Sequence, residues 1–155
     1  MTINFKNVGK LKSQQLQENV SGSVNFFGIK TPLRYGGEND GIFALHTSLA
    51  DFSADNLRNL IQTNHGDRVV LYNYGANLQP LISEFTNLQS FDDEAVVRIK
   101  NAVAAWMPFV ELDTYESRVD REDNKTTAKL IITISFSVPS VEVFNRKLDV
   151  TFYII

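Results

Sequence analysis

Glu84, Glu111, Asp113 and Glu116 are the residues whose types and spacing could do chemistry. Glycoside hydrolysis needs an acid and a base or nucleophile held a few ångströms apart across a sugar. Glu111 and Asp113 would project from the same face of a regular strand, because side chains alternate with a period of two. With Glu84 as a further acid, these are the raw materials of a peptidoglycan-acting muramidase. A working pair also needs one carboxyl protonated and one ionised, a difference that spacing alone does not create. Acids on strands and turns are commonly just solvated surface.

Other chemistries have less to draw on. The 155 residues include no cysteine, which removes disulfides, thiolate catalysis and cysteine-ligated zinc. The only histidines are His46 and His65, too few for a histidine-rich metal site. Gly36-Gly37 is followed by Glu38-Asn39-Asp40, without the lysine and hydroxyl that a phosphate-binding loop requires. A Gly-x-Ser-x-Gly nucleophile elbow is also missing. His65, next to Gly66, reads as a histidine facing the last carbonyls of a helix. Arg68 has a planar fork suited to bidentate pairing with a carboxylate. Trp106 is expected in the core, with its indole N–H on a carbonyl. From the residues we expect no enzyme, no metal and no cofactor.

Hydrophobic residues make up 43% of the chain and charged residues 21%, an ordinary globular composition. The net charge is −3 and the pI about 5.3. Such a balance exerts no broad pull on nucleic acid or anionic lipid, so neither partner is expected. The first twenty residues hold no continuous apolar run, so neither a signal peptide nor a membrane anchor is expected, and the protein should reside in a cytoplasm.

The elements that must position these residues follow from periodicity. Residues 1–24 are polar and aperiodic, either an arm ordered by what it touches or a flexible tail. Residues 25–54 are punctuated by glycine and proline, yet they carry Phe26, Phe27, Ile42 and Phe43. Burying a large apolar side chain is worth roughly 1.5–3 kcal/mol, so these should find a surface, in the domain or on another subunit. A first helix is capped by Ser53 or Asp55, carries Leu57, Leu60 and Ile61 on one stripe, and ends before Gly66. Asp67–Tyr72 reads as a brief strand or an extended link, closed by a turn at Asn73-Tyr74-Gly75. A short second helix has Pro80 in its first turn and Leu78, Leu81, Ile82, Phe85 and Leu88 at helical spacing. A third places Asp92, Asp93 and Glu94 in its first turn, buries Ala95, Ile99, Ala102, Val103 and Trp106, and stops at Pro108.

Strands then run over Phe109–Val119, over Leu130–Val138 as far as Pro139, and over Leu148, Val150, Phe152 and Ile154, with a polar turn at Asp120–Lys125. The expectation is an α+β fold: three helices followed by a three-stranded antiparallel sheet in residues 55–155, preceded by an extended arm over residues 1–54. The last strand pattern is either central or an open edge that recruits partners.

Asn56–Gly75 and Trp106–Leu112 resemble the lysozyme-like baseplate wedge family of contractile phage tails, which has relatives in type VI secretion baseplates. Leu57, Leu60, Gly66, Asp67, Arg68 and Val69 stand where that family has a helix and a Gly-Glu-Arg-type turn. Tyr74, Gly75, Leu78, Leu81 and Phe85 follow as its aromatic-Gly turn and short helix, then Trp106, Pro108 and Val110 at the end of the long one. The order holds over about residues 55–155. One element departs: the Glu-Pro-Arg signature reads Met107-Pro108-Phe109, so both its charges are gone. The resemblance implies a virion protein of the tail baseplate, assembled in the host cytoplasm as six copies around the tail. Its implied partners are other wedge subunits, the tail sheath and the tube or hub. It also implies an initiator role, in which the C-terminal sheet templates the first sheath ring by strand exchange. Leu148, Val150, Phe152 and Ile154 would then form the exchanging strand. Phe26, Phe27, Phe43, Arg68, Met107 and Phe109 would be contacts with neighbouring subunits.

Overall fold

The computed structural model describes residues 26–36, 41–84, 87–121 and 128–154. They fall into two compact units that divide between Ser48 and Leu49, ahead of the first helix; a boundary after residue 54 would cut that helix.

In the first unit, β1 (Gly28–Ile29) and β2 (Leu45–His46) pair antiparallel, and an isolated bridge joins Tyr35 to Phe43. Backbone bonds from Phe27 N–H to the His46 carbonyl and from Lys30 N–H to the Ala44 carbonyl, both 2.9 Å, extend the ladder. This part of the expected arm is therefore not structureless. Residues 1–25 lie outside the described residues.

The second unit is α+β. α1 (Leu49–Gln62), α2 (Gln79–Ser83) and α3 (Leu88–Trp106) precede a meander of β3 (Glu111–Arg121), β4 (Ala128–Val138) and β5 (Val143–Ile154). β4 is central, with β3 and β5 antiparallel on either side. α1 packs on β5 and α3, α2 on α3 and β5, and α3 on β3, so the helices cover one face of the sheet. Leu130, Ile132, Ile134, Phe136 and Val138 of β4 are all buried on that face, as are Leu148 and Val150 of β5. Leu57, Leu60 and Ile61 of α1 meet them with Ala95, Ile99, Ala102 and Val103 of α3. Pro139–Val141 forms a 3-10 turn that interrupts the ladder where proline was expected to.

Three helix expectations are corrected. α1 begins at Leu49, so Ser53 is buried within it and Asp55 pairs with Arg58 at 2.7 Å; the acid in its first turn is Asp51. α3 begins earlier as well: the Asn87 side chain accepts from Ser90 N–H at 2.8 Å, a proper N-cap that moves Asp92, Asp93 and Glu94 beyond the first turn. α2 has only five residues, so Leu88 belongs to α3, and Phe85 is outside the described residues. Residues 122–127, which overlap the predicted polar turn at Asp120–Lys125, are also outside them; Asp120 and Arg121 belong to the strand Glu111–Arg121 instead.

Asp92 instead ties α3 to the sheet. It accepts from the Tyr115 hydroxyl at 3.0 Å and from the Ser117 hydroxyl at 2.6 Å. Burial, reinforced by the Asp92 carboxylate, holds the Tyr115 proton far above the usual tyrosine value of 10.0. An unfolded chain loses that proton near its ordinary value while the folded chain keeps it. Stability from this group is complete below pH 10 and falls as pH rises above it. Denaturant unfolding followed from about pH 9 to about pH 11 should show wild type losing more stability than Tyr115→Phe. Equal losses in both would reject the assignment.

Candidate interaction surface

The segment between α1 and α2 is neither strand nor extended link. It is a closed loop, and its closure begins at the end of a helix, where the last carbonyls have no intrahelical partner. The Asn59 carbonyl takes the N–H of Thr63 at 3.1 Å and its hydroxyl at 2.5 Å, while the Leu60 carbonyl takes Ala76 N–H at 3.0 Å. Asn77 N–H reaches the Thr63 carbonyl at 3.3 Å, and Gly66 N–H the Tyr72 carbonyl at 2.9 Å. Side chains finish the closure: Asp67 accepts from Asn64 N–H, and Asn64 from Gln79 N–H, at 2.8 and 3.1 Å. Arg98 of α3 donates to the Asn77 carbonyl at 2.6 Å. Such compact loops with adjacent ends are frequently functional.

Gly75 makes this closure possible. Its φ is +115°, and a Cβ there would lie 2.1 Å from the Thr63 carbonyl oxygen. No side chain fits. Gly75→Ala should therefore lower stability by about 2–4 kcal/mol, through backbone strain and overpacking together. Thermal denaturation of the variant measures this, and a loss within error of zero would refute the assigned role.

The closed loop holds its apolar tip away from the core. Val69 is fully exposed, Val70 is 89% exposed and Tyr72 68%. The β-branched run read as a possible strand has no strand beside it. Arg68 lies flat over Tyr74, 3.7 Å from the ring centroid. Tyr74 in turn tilts against Trp106 at 5.2 Å and 60°. Trp106, expected in the core, is thus at the surface; Met107, only 5% exposed, takes the inward place at the end of α3. Its N–H closes the helix on the Val103 carbonyl at 2.8 Å. Phe109 points outward at 48% exposure. A cleft of about 290 Å³ lies between the loop and α3, lined by His65, Asn73, Asn77, Arg98, Asn101 and Trp106 among others.

The remaining site residues fall in separate places. Phe26, Phe27 and Phe43 are exposed in the first unit. Leu148 and Val150 are core side chains, with Phe152 and Ile154 packed at its margin, so β5 offers its backbone edge rather than these side chains.

Glu111 stands opposite Ser137 in the ladder and Asp113 meets the same serine, while Glu84 lies outside the sheet, just past the end of α2. A bulge between Leu112 and Thr114 makes Asp113 the extra residue of β3, and Asp113 accepts from the Ser137 hydroxyl at 2.7 Å. That hydroxyl also accepts from Asn145 N–H at 3.1 Å, so the bulge is tied to β4 and β5. A second cleft, of about 160 Å³, is lined by Asp113 with Lys100, Tyr115 and apolar residues, and neither Glu84 nor Glu111 borders it. Among the described residues no cluster of three or more His, Asp or Glu is placed to hold a metal ion. No described helix is long and apolar enough to cross a membrane.

No family model matches the chain, and no curated protein does. Its fold has relatives among solved structures. One is a protein of the anti-feeding prophage baseplate, from a cryo-EM structure symmetrised six-fold. It matches with a TM-score of 0.58 at 18% identity, over 76% of this chain and 88% of that one. Another is a crystal structure from Geobacter sulfurreducens, provisionally described as a tail lysozyme, with a TM-score of 0.52 at 22% identity, over 68% of this chain and 89% of that one. The likeness is one of fold alone.

Proposed function

We propose that the chain is a structural subunit of a contractile-tail baseplate, an inner wedge protein that starts the sheath by accepting a strand on the open edge of β5. The observation that carries this reading is the fold shared with a protein of the anti-feeding prophage baseplate over most of that protein's length. The sheet supplies a physical means. Among the described residues β5 pairs with β4 alone, in unbroken register from Arg146 to Ile154. The opposite edge, β3, carries the Asp113 bulge; β5 has its own irregularity between Val143 and Arg146, before this run begins. A visiting strand would gain backbone hydrogen bonds, while Leu148 and Val150, buried beneath β5, hold the edge in place. On this reading the chain works in the virion as six copies around the tail, beside other wedge subunits, the sheath and the tube or hub. It would be assembled in the host cytoplasm. Phe26, Phe27, Phe43 and Phe109 are exposed and available to those neighbours.

Negative-stain microscopy of gold-labelled protein in the particles that carry it is expected to show a ring of label where sheath meets baseplate. Label elsewhere on the particle, or only outside particles, would overturn the proposal.

The competing reading is a muramidase, prompted by the name of the Geobacter neighbour. Neither described cleft is bordered by two carboxylates, so we propose no enzyme activity. Purified protein should release no peptidoglycan fragments above buffer. Turnover that disappears in Glu84→Gln, Glu111→Gln or Asp113→Asn would reverse that conclusion.

A further inference from the structure

We propose that the loop from Thr63 to Leu78 is a second docking site, for a segment of another protein that carries a carboxylate among apolar residues. The site is separate from the β5 edge and does not depend on the baseplate reading.

Two features define the occupant. The first is the apolar tip: Val69, Val70 and Tyr72 are largely or wholly in water. Contiguous exposed apolar residues of this kind mark interaction sites. They sit on a loop already fixed by Gly75 and by bonds to α1 and α3, so little ordering remains to be done on binding. The second is charge. Arg58, Arg98 and Arg146 each pair with a carboxylate, of Asp55, Glu94 and Asp51. Arg68 has no carboxylate partner among the described residues; its guanidinium carbon lies 3.7 Å from the Tyr74 ring centroid. The neighbouring carboxylate of Asp67 accepts from Asn64 N–H through one oxygen and makes no ion pair with Arg68 among the described residues. The adjoining cleft is lined by His65, Arg98 and three asparagines, with no acid. Arg98 is already paired with Glu94, so the complement to an acidic group is the Arg68 guanidinium, with the amides of the adjoining cleft as further donors. The planar fork favours a carboxylate held bidentately, and the flanking valines favour apolar neighbours. An anionic membrane would also meet a cation and an apolar tip, but it would not use a fork geometry.

The test selects short random displayed peptides against the full chain, with the Val69→Ser/Val70→Ser double variant as counter-selection. Both valines are exposed, so that variant should keep the wild-type melting temperature. The expected consensus is an Asp or Glu flanked by large apolar residues. A labelled peptide of that consensus should bind Arg68→Gln about tenfold more weakly than wild type, with Arg68→Lys between them. Replacing the peptide's acid by its amide should cost as much, and should cost nothing further in Arg68→Gln, as expected for one shared contact. A consensus without an acid, or equal binding to Arg68→Gln, would overturn the proposal. So would a dimer abolished by the double serine variant, which would make the occupant a second copy. Valine-dependent binding to phosphatidylglycerol vesicles would make it a membrane, with the same consequence.

Discussion

Everything in the second unit depends on the inner face of β4. Leu130, Ile132, Ile134, Phe136 and Val138 form one buried stripe, and among the described residues β3 and β5 have no other strand to pair with. The helices depend on it as well. Fourteen residues of α1 and five of α2 would be marginal in water, where isolated helices shorter than about 12–15 residues scarcely form. Their stability comes from laying Leu57, Leu60, Ile61 and Ile82 on that stripe, each worth roughly 1.5–3 kcal/mol when fully buried. The other face of the sheet carries pairs such as Thr133 with Asp149, 2.7 Å apart, so only one side can hold the core. That asymmetry fixes the register, because a slip of one residue would put the stripe in water.

The same asymmetry made most of this architecture legible in the sequence. β4 and β5 alternate cleanly, and the period-two pattern gave their inward residues correctly. Three helices before a three-stranded sheet were equally visible, since α1 and α3 keep their apolar residues at helical spacing. The pattern failed where one residue changes the phase. Leu112 packs inward before the bulge, and Tyr115 and Val119 after it, so the phase of β3 shifts by one residue at Asp113. A faint signal was present, in that inward apolar residues switch from even to odd positions across Asp113. Helix starts were misplaced because several capping residues compete near each, and only backbone geometry chooses Asn87 over the acids that follow it. The first unit was read as loop because its strands are two residues long, too short for any period to show.

The loop after α1 was half legible, for a different reason. Its glycines, Arg68 and Tyr74 were visible as punctuation, but β-branched residues there suggested a strand. Propensity of that kind measures fit to a pleated, half-buried surface and not an intrinsic backbone preference. Without a neighbouring strand, the loop's polar groups found partners at the end of α1 instead. Trp106 was misassigned because an aromatic at the end of an apolar helical stripe is usually core. Here Met107 and Val110 fill that volume, and the indole goes to Tyr74.

Folding and exposure are thus carried by different residues. The core is built from the alternating strands and the two longer helices. The large apolar residues left in water sit on the loop tip, in the first unit, at Val97, Trp106 and Phe109, and at Phe144 and Tyr153 of β5. Val69, Val70 and Phe109 belong to no ladder and cap no helix, so folding alone does not account for their being apolar. A monomer tolerates single exposed hydrophobics at little cost, but a rigid cluster such as Val69, Val70 and Tyr72 invites association. The loop that carries it is held by more polar bonds than a passive connection needs, including Arg98 reaching across from α3. Glycine at position 75 adds a conformation that no other residue can adopt there without displacing the Thr63 carbonyl. A connection of minimal length between α1 and α2 would need neither feature, whereas a presented surface needs both: apolar contact area, and a backbone that does not move when it is used.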